Sequence, residues 1–438
     1  MLALVFGFIL LTGIQSSLAQ PLQFKVVGFE TSWDGSVSSI QFNKLTHVIY
    51  AFLIPNSDGS LQAIDNPSKL QSLVSAGHAA GVKVLISCQA PAPTWGALAY
   101  NASYISAFIN NVENFVSQYG LDGVDIDWEF PSPAPSSSAS NYANLLSQLS
   151  SSLHGRGLLL TADVASWGTE ADGVLSSVFN SVDWLNIMDY DNSNGVGQST
   201  LASVSTALNY WEGKGLSASK AVMGVPFYGD PNGQYSFAQL ISMGASPYGD
   251  SWNGYGYNGI TTIQQKAQLC LQDNLGGMMI WELGNDATGS DSLLSAMYAV
   301  IVPIGRTISL QAQNNGEWVS SNDGNSPLIA NRPAANFWEQ FVVVDESSTY
   351  GYGHISLQAT VNSEYVSADN AGSSPLIANR ASAGTWETFY WQNAGYGAVS
   401  LQSYINGLWV CADNDGASPL IANRTIPQGW ETFNVKLW

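Results

Sequence analysis

Three copies of one sequence fill the last part of the chain, and this repeat restricts the possible folds more than any other feature. The copies begin ISLQAQ, ISLQAT and VSLQSY, and each continues through LIANR to a W-E-x-F ending. Leu310, Leu357 and Leu401 are equivalent, so successive units are 47 and 44 residues apart. Each unit alternates apolar and polar residues between Gly, Asn and Asp turns, which is typical of short β-strands. Three such units predict a closed all-β domain over residues 307–438, with a β-trefoil as the candidate fold.

The composition excludes several classes of protein. Apolar residues make up 45% of the 438 residues and charged residues only 11%, which is incompatible with disorder or a coiled coil. The net charge is −20, and 13 Lys and Arg residues are too few for the basic surface that a nucleic acid or an anionic membrane requires. A neutral polymer such as a carbohydrate is the more natural partner. We expect a monomer that needs no cofactor and no metal.

The N-terminus has the pattern of a secretory signal peptide. Residues 2–14 are almost entirely apolar, but the run is shorter than the ~20 residues that span a bilayer. Ser17, Leu18 and Ala19 fit a cleavage site with small residues at its two key positions. We therefore expect cleavage after Ala19 and a secreted, extracellular protein. The alternative is a buried N-terminal strand.

The cysteines do not predict a disulfide-stabilised fold. The chain contains three cysteines, Cys88, Cys270 and Cys411, so it can form at most one internal disulfide. Cys411 stands where the other repeats have Ser320 and Ser367, which indicates a packed small residue.

Residues 20–302 follow a different pattern, and residues 303–306 link them to the repeats. Strand-like runs cover residues 25–29, 46–53, 83–87, 123–129, 158–164, 184–190, 221–228 and 277–281. Helical periodicity lies between them, for example over residues 103–119, where Ser103 can cap the start and Gly120 the end. Eight such units predict a (β/α)8 TIM barrel, whose functional residues lie at the carboxyl ends of the strands.

Three carboxylates alternate along the fourth predicted strand. Asp125, Asp127 and Glu129 are two residues apart, so in a strand all three would point to one face. Val124, Ile126 and Trp128 would take the other face and pack against helices. Repulsion and burial raise the pKa of at least one of such carboxyls, which suits an acid catalyst. The alternative, a cation site, would prefer carbonyl and water ligands on a roomier loop.

The residues 122–129, DGVDIDWE, resemble the DGxDxDWE signature of family 18 glycoside hydrolases, the chitinase family. Further matches are YAF at 50–52, MDYD at 188–191, GVPFYG at 224–229 and MIWE at 279–282. The resemblance covers about residues 24–302. It implies that Glu129 is the general acid and then the base, and that the substrate's own acetamido oxygen attacks the anomeric carbon.

The same resemblance implies roles for the remaining site residues. Asp127 would hold the acetamido N–H, Asp125 would tune Asp127 from behind, and Tyr190 would bind the acetamido oxygen. Trp281 would form the floor under the sugar at the cleavage point. Four further residues would line the same pocket: Met188, Asp191, Phe52 and Tyr228.

The chain also departs from the family pattern. Gln89 and Ala90 replace the two glycines that usually end the third strand, and Asp230 replaces a frequent Arg. The segment 230–275 holds one helix-like stretch, over 262–273, and is too short for the full insertion that deepens some family clefts, which favours a shallower groove and endo-type cleavage. Tryptophans that could lie along such a groove are Trp33, Trp95, Trp167, Trp211 and Trp252.

The repeats resemble the fascin-like trefoil pattern over about residues 307–438, a resemblance that is specific for fold and weak for function. Arg332, Arg380 and Arg424 recur in register with Glu339, Glu387 and Glu431, which favours structural ion pairs over a ligand site. The whole chain is thus interpreted as a secreted chitinase whose C-terminal domain could bind carbohydrate. The alternatives are an endo-β-N-acetylglucosaminidase acting on N-glycans and a non-catalytic chitin-binding lectin or storage protein, and the intact Glu129 argues against the latter.

Overall fold

The computed structural model describes residues 24–438 except residues 135, 194, 232–234 and 396. The predicted signal peptide, residues 1–19, lies outside the described residues. Among the helices of the described part, none is long and apolar enough to cross a membrane.

Eight parallel strands close into a barrel, as the sequence predicts. They are β1 (Lys25–Thr31), β2 (His47–Leu53), β3 (Lys83–Gln89), β4 (Gly123–Asp127), β5 (Leu159–Ala165), β6 (Trp184–Met188), β7 (Ala221–Pro226) and β8 (Gly277–Trp281). The order around the barrel is β1-β8-β7-β6-β5-β4-β3-β2, so each strand pairs with its neighbours in sequence and β8 closes against β1. The carboxyl ends of all eight strands therefore meet at one mouth.

The helices surround the barrel. They are α1 (Pro67–Ala79), α2 (Ala92–Tyr100), α3 (Ala102–Tyr119), α4 (Ser138–His154), α5 (Thr169–Asp172), α6 (Leu201–Gly213), α7 (Phe237–Ser242), α8 (Ile260–Gln272) and α9 (Leu293–Ile301). Asn101, rather than the predicted Ser103, caps α3, because the Asn101 side chain accepts the Ser103 N–H at 2.9 Å. Gly120 ends this helix in the left-handed conformation with φ 69°, as predicted.

Two parts of the barrel differ from a regular repeat. After β5 the structure has only the four-residue helix α5 and a 3-10 turn, Ser176–Asn180, instead of a full helix. Between β7 and β8 the chain forms two small antiparallel pairs and the helix α7, which is too short for its periodicity to be visible in the sequence. Ser236 and Gln239 cap α7 reciprocally.

The faces of the strands divide the barrel into an inner and an outer core. Val124, Ile126 and Trp128 are buried among the helices, as predicted, and the Trp128 ring stacks on Trp95 at 5.8 Å. The inner cluster contains Val27, Phe29, Ile49, Ala51, Leu85, Trp184, Val222 and Met279. The inner side chains fill the barrel, so the polar groups at its mouth rest on an apolar base.

The repeats form an all-β region of twelve strands, four in each copy. The first copy has β9 (Thr307–Ala312), β10 (Trp318–Ser320), β11 (Ile329–Arg332) and β12 (Phe341–Asp345). The second has β13 (His354–Ala359), β14 (Tyr365–Ser367), β15 (Ile377–Arg380) and β16 (Thr388–Gly395), and a short helix α10 (Ser347–Tyr350) precedes it. The third has β17 (Ala398–Ser403), β18 (Trp409–Cys411), β19 (Ile421–Arg424) and β20 (Phe433–Leu437).

A ring of backbone hydrogen bonds joins the three copies. The Leu328 N–H donates to the Leu376 carbonyl, Leu376 to Leu420, and Leu420 back to Leu328, each at 2.8 Å. Because the last bond returns to the first copy, the three units are related by threefold pseudosymmetry. The ring therefore explains why the same sequence can be used three times.

The predicted arginine–glutamate pairs of the repeats are present. The distance from Arg Nε to Glu Oε1 is 3.9 Å for Arg332–Glu339, 3.9 Å for Arg380–Glu387 and 3.7 Å for Arg424–Glu431. The second oxygen of each glutamate accepts a backbone N–H three residues earlier. These groups hold the repeat together rather than facing a ligand.

The three cysteines are buried and unpaired. Cys411 has no exposed surface, like Ser320 and Ser367 at the equivalent positions. It is a packed small residue, as predicted.

The all-β region packs against the barrel at the end opposite the mouth. The Tyr352 hydroxyl donates to the carbonyl of Phe24, which directly precedes β1, at 3.3 Å. Tyr298 accepts the Gly353 N–H at 3.0 Å, and its ring lies 5.6 Å from that of Tyr352. Asn43, shortly before β2, donates to Ser347 at 3.0 Å. These contacts lie at or near the amino ends of the strands, so the barrel mouth stays open.

Candidate active site

A cavity of about 600 Å³ opens at the barrel mouth. It lies at the carboxyl ends of the strands, where the sequence predicts the site. Its lining residues are Phe29, Phe52, Gln89, Asp127, Glu129, Phe130, Asp163, Ala165, Ser166, Trp167, Glu170, Met188, Tyr190, Asp191, Asn192 and Trp281.

Asp125 is completely buried beneath this cavity and does not line it. Its carboxylate accepts hydrogen bonds from Ser87 at 2.8 Å, from Thr161, and from Asn186 at 3.3 Å. Burial nevertheless raises the pKa of Asp125, because the hydrogen bonds offset only part of the cost of removing its charge from water. The position behind Asp127 agrees with the sequence interpretation.

Asp127 ends β4 and is almost completely buried at the cavity floor. Its Oδ1 atom has no hydrogen-bond partner among the described residues. Burial, followed by the charges of Glu129 and Asp125, raises the pKa of Asp127 well above its usual range. A buried oxygen without a partner at the floor of a cavity is available to a donor on a bound molecule.

Glu129 lies beyond the end of β4, so the prediction that the strand extends to this residue is wrong. Its side chain is exposed to the cavity, and it interacts with Asp127. Neighbouring protein atoms exclude water from part of its carboxyl group, and this partial burial is the largest effect that raises the pKa of Glu129. The hydrogen bond with Asp127 lowers this pKa, whereas the charges of Asp191 and Glu170 raise it. Because Glu129 lies outside the strand, its carboxyl group can extend into the cavity above Asp127 and donate a proton to a bound molecule.

Asp163 is a fourth carboxyl at the mouth that the sequence interpretation missed. It lies on β5 directly opposite Asp127 on β4, is 4% exposed and lines the cavity. Burial and the charges of Asp125 and Asp127 raise the pKa of Asp163 well above its usual range. No known spacing marks this residue, but its place near the end of a predicted barrel strand could have suggested it.

The floor of the cavity is aromatic. The Trp281 ring stacks on Phe52 at 5.7 Å with an interplanar angle of 21°, and Phe29 lies 5.4 Å from it. Trp33, at the rim, is 62% exposed and lies 6.1 Å from Phe52. The rings of Trp33, Phe52 and Trp281 thus form a continuous surface that can support a sugar chain.

The five tryptophans proposed for the groove separate into two groups. Trp33 lies at the rim, Trp167 lines the cavity, and Trp252 is half-buried in the segment between β7 and β8. Trp95 and Trp211 are fully buried in the outer core, so these two candidates are core tryptophans. Apolar rings at helix positions that face the barrel gain more from core packing.

Tyr190, Met188 and Asp191 line the cavity at the end of β6, as predicted. Tyr228 does not line it; instead, its hydroxyl donates to Asp191 at 2.6 Å. Tyr228 faces an adjacent cavity that shares Asp191 and Trp281 with the first. The prediction that Tyr228 lines the first pocket is therefore corrected: Tyr228 lines the adjacent cavity and contacts the first one through Asp191.

Asn192 and Ser166 are further lining residues that the sequence did not reveal. The Asn192 amide donates to Asp189 at 2.8 Å, and its carbonyl accepts the Ser166 hydroxyl at 2.8 Å. Asp189 in turn pairs with the fully buried Lys266 at 3.5 Å. These contacts fix the loop after β6, so the second residue of the MDYD motif has a structural role.

The departures from the family pattern have clear positions. Gln89 lines the cavity, whereas Ala90 is buried. Asp230 is buried and accepts the Gly195 N–H, and it lines the adjacent cavity. In the described part of the chain, no group of three or more His, Cys, Asp or Glu side chains is arranged to hold a metal ion.

Comparison with known proteins identifies the family of the barrel. The model of glycosyl hydrolases family 18 matches residues 25–286. A class V chitinase from Arabidopsis thaliana is 25% identical over 377 residues, which cover 70% of this chain and 98% of that protein. Nod factor hydrolase protein 1 from Medicago truncatula is 27% identical and covers 57% of this chain and 83% of its own.

The fold comparison gives the same result. The crystal structure of the GH18 chitinase ChiB from Flavobacterium johnsoniae aligns with a TM-score of 0.57 and 27% identity, over 64% of this chain and 95% of that chain. The family match covers more than half of the chain and contains all eight barrel strands. The chain therefore belongs to family 18 of the glycosyl hydrolases and is a chitinase-type glycoside hydrolase.

Proposed function

We propose that this protein hydrolyses the β-1,4 bonds between N-acetylglucosamine units of chitin with retention of the anomeric configuration. The observation that carries the proposal is the arrangement of Glu129, which reaches into an open cavity beside Asp127 and above the Trp281 floor. A sugar that lies on this floor places its acetamido group towards Asp127 and its glycosidic oxygen within reach of Glu129.

The reaction proceeds in two steps. The Glu129 carboxyl gives its proton to the glycosidic oxygen, while the acetamido oxygen forms a bond to the anomeric carbon and the alcohol leaves. Water then attacks the same carbon, the acetamido bond breaks, and Glu129 takes the proton from the water. Two inversions at one carbon give net retention without a carboxylate nucleophile.

Three residues assist the acetamido group. The unpaired Oδ1 of Asp127 accepts its N–H, and the charge of Asp127 stabilises the cationic intermediate. Tyr190 donates to the acetamido oxygen, and burial of its hydroxyl, which raises the pKa of Tyr190 well above the usual range, keeps the proton in place. Asp125 and Asp127 titrate as a coupled pair.

The first test is product analysis with (GlcNAc)6 as the substrate, in parallel with a high-mannose glycopeptide. We expect short chitooligosaccharides that are initially β-anomers. We expect Glu129→Gln to lose at least ~1,000-fold in turnover yet still bind (GlcNAc)6, because only the proton donor is removed. Wild-type turnover of this variant would refute the role of Glu129. Glycan release with (GlcNAc)6 intact would identify an N-glycan enzyme instead.

We also propose that the protein is exported by its N-terminal signal and that residues 307–438 form a carbohydrate-binding β-trefoil. Four strands in each of three pseudosymmetric copies support the trefoil assignment. Trp338, Trp386 and Trp430 occupy equivalent positions in the copies and are 45%, 36% and 41% exposed. Exposed rings repeated around a threefold axis suit binding to a polymer at several points.

The proposed binding surface can be tested in the full chain. We expect the triple variant Trp338→Ala, Trp386→Ala, Trp430→Ala to lose at least ~10-fold in retention on insoluble chitin, because multivalent contacts are lost together. Hydrolysis of (GlcNAc)6 should be unchanged, because the candidate active site lies at the carboxyl ends of the barrel strands and the all-β region packs at their amino ends. Trp438→Ala is the control, because Trp438 is 46% exposed but has no equivalent in the other copies. Equal retention of the triple variant and the wild type would exclude this surface.

A further inference from the structure

A second cavity of about 520 Å³ lies beside the first and shares Asp191 and Trp281 with it. It is lined by Trp33, Asp34, Asp191, Tyr228, Asp230, Ser236, Gln239, Trp281, Glu282 and Asn285. Glu129 is not among these residues. A sugar in this cavity would therefore be next to the sugar that reacts, on the side away from the proton donor.

The charge of this cavity is strongly negative. Asp34, Asp191, Asp230 and Glu282 contribute carboxyl groups, and the described lining residues include no Lys, Arg or His. Lys69 is close by, but its ammonium group pairs with Glu30 at 2.6 Å and donates to the Thr31 carbonyl. Lys69 also lowers the pKa of Glu282, but this is the smallest of the effects on that group. A ligand with its own positive charge would compensate the carboxylates of Glu282 and Asp34.

The positive charge of such a ligand should lie beside the carboxyl group of Glu282. Its side chain is only 5% exposed although it lines the cavity, and its Oε2 atom has no hydrogen-bond partner among the described residues. Burial, followed by the charges of Asp34 and Glu30, raises the pKa of Glu282 to about 7. An N–H donor with a positive charge would satisfy the oxygen and stabilise the ionised form, whereas a neutral acetamido group offers only one N–H and no charge.

The cavity also has faces on which a sugar ring can lie. Trp33 and Trp281 belong to the aromatic surface described above, and Tyr228 contributes a third ring. Aromatic faces beside carboxylates fit a pyranose that bears an ammonium group. A metal ion would instead need several close oxygen ligands, and no such group is present among the described residues.

We propose that the second cavity binds a protonated glucosamine unit next to the N-acetylglucosamine on Trp281, so that partly deacetylated chitin is the preferred substrate. The inference rests on the proposed function. The reacting sugar still needs its acetamido group, whereas its neighbour on the side away from Glu129 carries a free amine. The new reducing end of each product should therefore be N-acetylglucosamine preceded by glucosamine.

The test is to sequence the products of a randomly and partly deacetylated chitin by mass spectrometry, with the new reducing ends labelled with ¹⁸O from water. We expect glucosamine at the unit before the new reducing end several-fold more often than its share in the polymer. Glu282→Gln should bring this enrichment down to the random level, because the buried charge is lost. Glu212→Gln is the control, since Glu212 is an exposed acid on α6 that lines neither cavity.

The outcomes distinguish this inference from the proposed function. If wild-type protein cleaves (GlcNAc)6 but shows no enrichment, the second cavity does not select glucosamine and the chitinase assignment stands. If enrichment persists in Glu282→Gln and also in Asp34→Asn, a variant of an exposed loop residue that does not endanger folding, this cavity is not its source. If neither substrate is cleaved, both proposals fail.

Discussion

At the residue scale, four interacting carboxyl groups lie on or just beyond β4 and β5, namely Asp125, Asp127, Glu129 and Asp163, and their burial decides what they can do. Asp125 is stabilised by three neutral donors, whereas Asp127 and Asp163 each have a buried oxygen without a partner among the described residues. Close carboxylates in a poorly solvated site cannot all ionise together. The pKa of each of the four is raised, so the group retains a proton at a pH where free carboxyls have lost it.

The variant Asp163→Asn tests whether Asp163 helps to determine which of the four carboxyl groups keeps a proton. Asparagine has the shape and the neutral charge of the protonated acid, so we expect turnover of (GlcNAc)6 at about pH 5 to stay within a few-fold of wild type. Asparagine cannot release a proton as the pH rises, so the group of interacting carboxyls loses one titrating member and the alkaline limb of the kcat profile should move by about half a unit or more. The measurement is kcat from pH 4 to 9.

Asp127→Asn is the comparison for this experiment. It removes the negative charge beside the proposed acetamido position, so turnover should fall severely at every pH. A kcat profile of Asp163→Asn that overlays the wild type would show that Asp163 only fills space.

At the scale of elements, the loops after β4 and β5 are in direct contact, and this contact positions Glu129. Gly173 follows α5, and a Cβ atom placed on it would lie 1.6 Å from the Pro131 carbonyl oxygen. Pro131 is two residues after Glu129. Only a residue without a side chain allows the two loops to approach this closely.

Gly173→Ala should therefore displace the loop that carries Glu129. We expect a loss of about 1–3 kcal/mol in the free energy of unfolding and a decrease of at least ~10-fold in kcat/KM for (GlcNAc)6. The measurements are urea unfolding and steady-state kinetics. Gly213→Ala is the control, because an added Cβ at the end of α6 meets no atom within 4 Å. Equal effects of the two changes would contradict this account of the loop contact.

The elements also show where sequence patterns stop being informative. Strong alternation and helical periodicity place all eight barrel strands and helices such as α3 and α4. The short helix α7 has too few residues for a periodic pattern, and α5 replaces an expected helix. The cap of α3 is Asn101, whose side chain accepts the N–H of Ser103, so Ser103 lies inside the first turn of the helix rather than before it.

At the scale of the whole molecule, the buried carboxyls predict how stability depends on pH. Burial raises the pKa of Glu282 to about 7 and of Asp286 to about 6, above the values that these groups have in an unfolded chain. The folded state therefore binds more protons than the unfolded state between about pH 4 and 7. The stabilisation that these two groups contribute is complete at a pH below their pKa values in the unfolded chain. It is lost as the pH rises through their pKa values in the folded protein.

We therefore expect the melting temperature to fall between pH 5 and pH 7.5, and calorimetry at constant ionic strength measures this. The net charge of −20 adds repulsion in the same direction. In Glu282→Gln the decrease in unfolding free energy over this range should be smaller by on the order of 1–3 kcal/mol. A melting temperature that rises towards pH 7.5 would contradict the assignment of raised pKa values.

The all-β region and the two cavities lie at opposite ends of the barrel. The all-β region packs at the amino ends of the barrel strands, through Tyr298, Tyr352 and Phe24, while the cavities open at the carboxyl ends. The region thus leaves the cleft free. Its exposed tryptophans are positioned to act independently of catalysis, which is why the proposed binding and hydrolysis can be separated by mutation.

The sequence by itself determined the architecture and indicated which carboxyl group to propose as the reactive one. Period-two and period-3.6 patterns specify local structure directly, and the DGVDIDWE motif identifies Asp125, Asp127 and Glu129 without any coordinates. The threefold repeat likewise predicted an all-β region and the Arg–Glu pairs within it. These features are local in the chain or repeated along it, so they can be read from one sequence.

Only the tertiary structure decided which residues meet across the mouth. Asp163 faces Asp127 because β4 and β5 pair in that register, and Trp95 and Trp211 are core residues because their helices turn those rings inwards. Tyr228 and Glu282 line a second cavity because the ends of β7 and β8 lie side by side. Such contacts join residues far apart in sequence, and no spacing within one strand or helix encodes them.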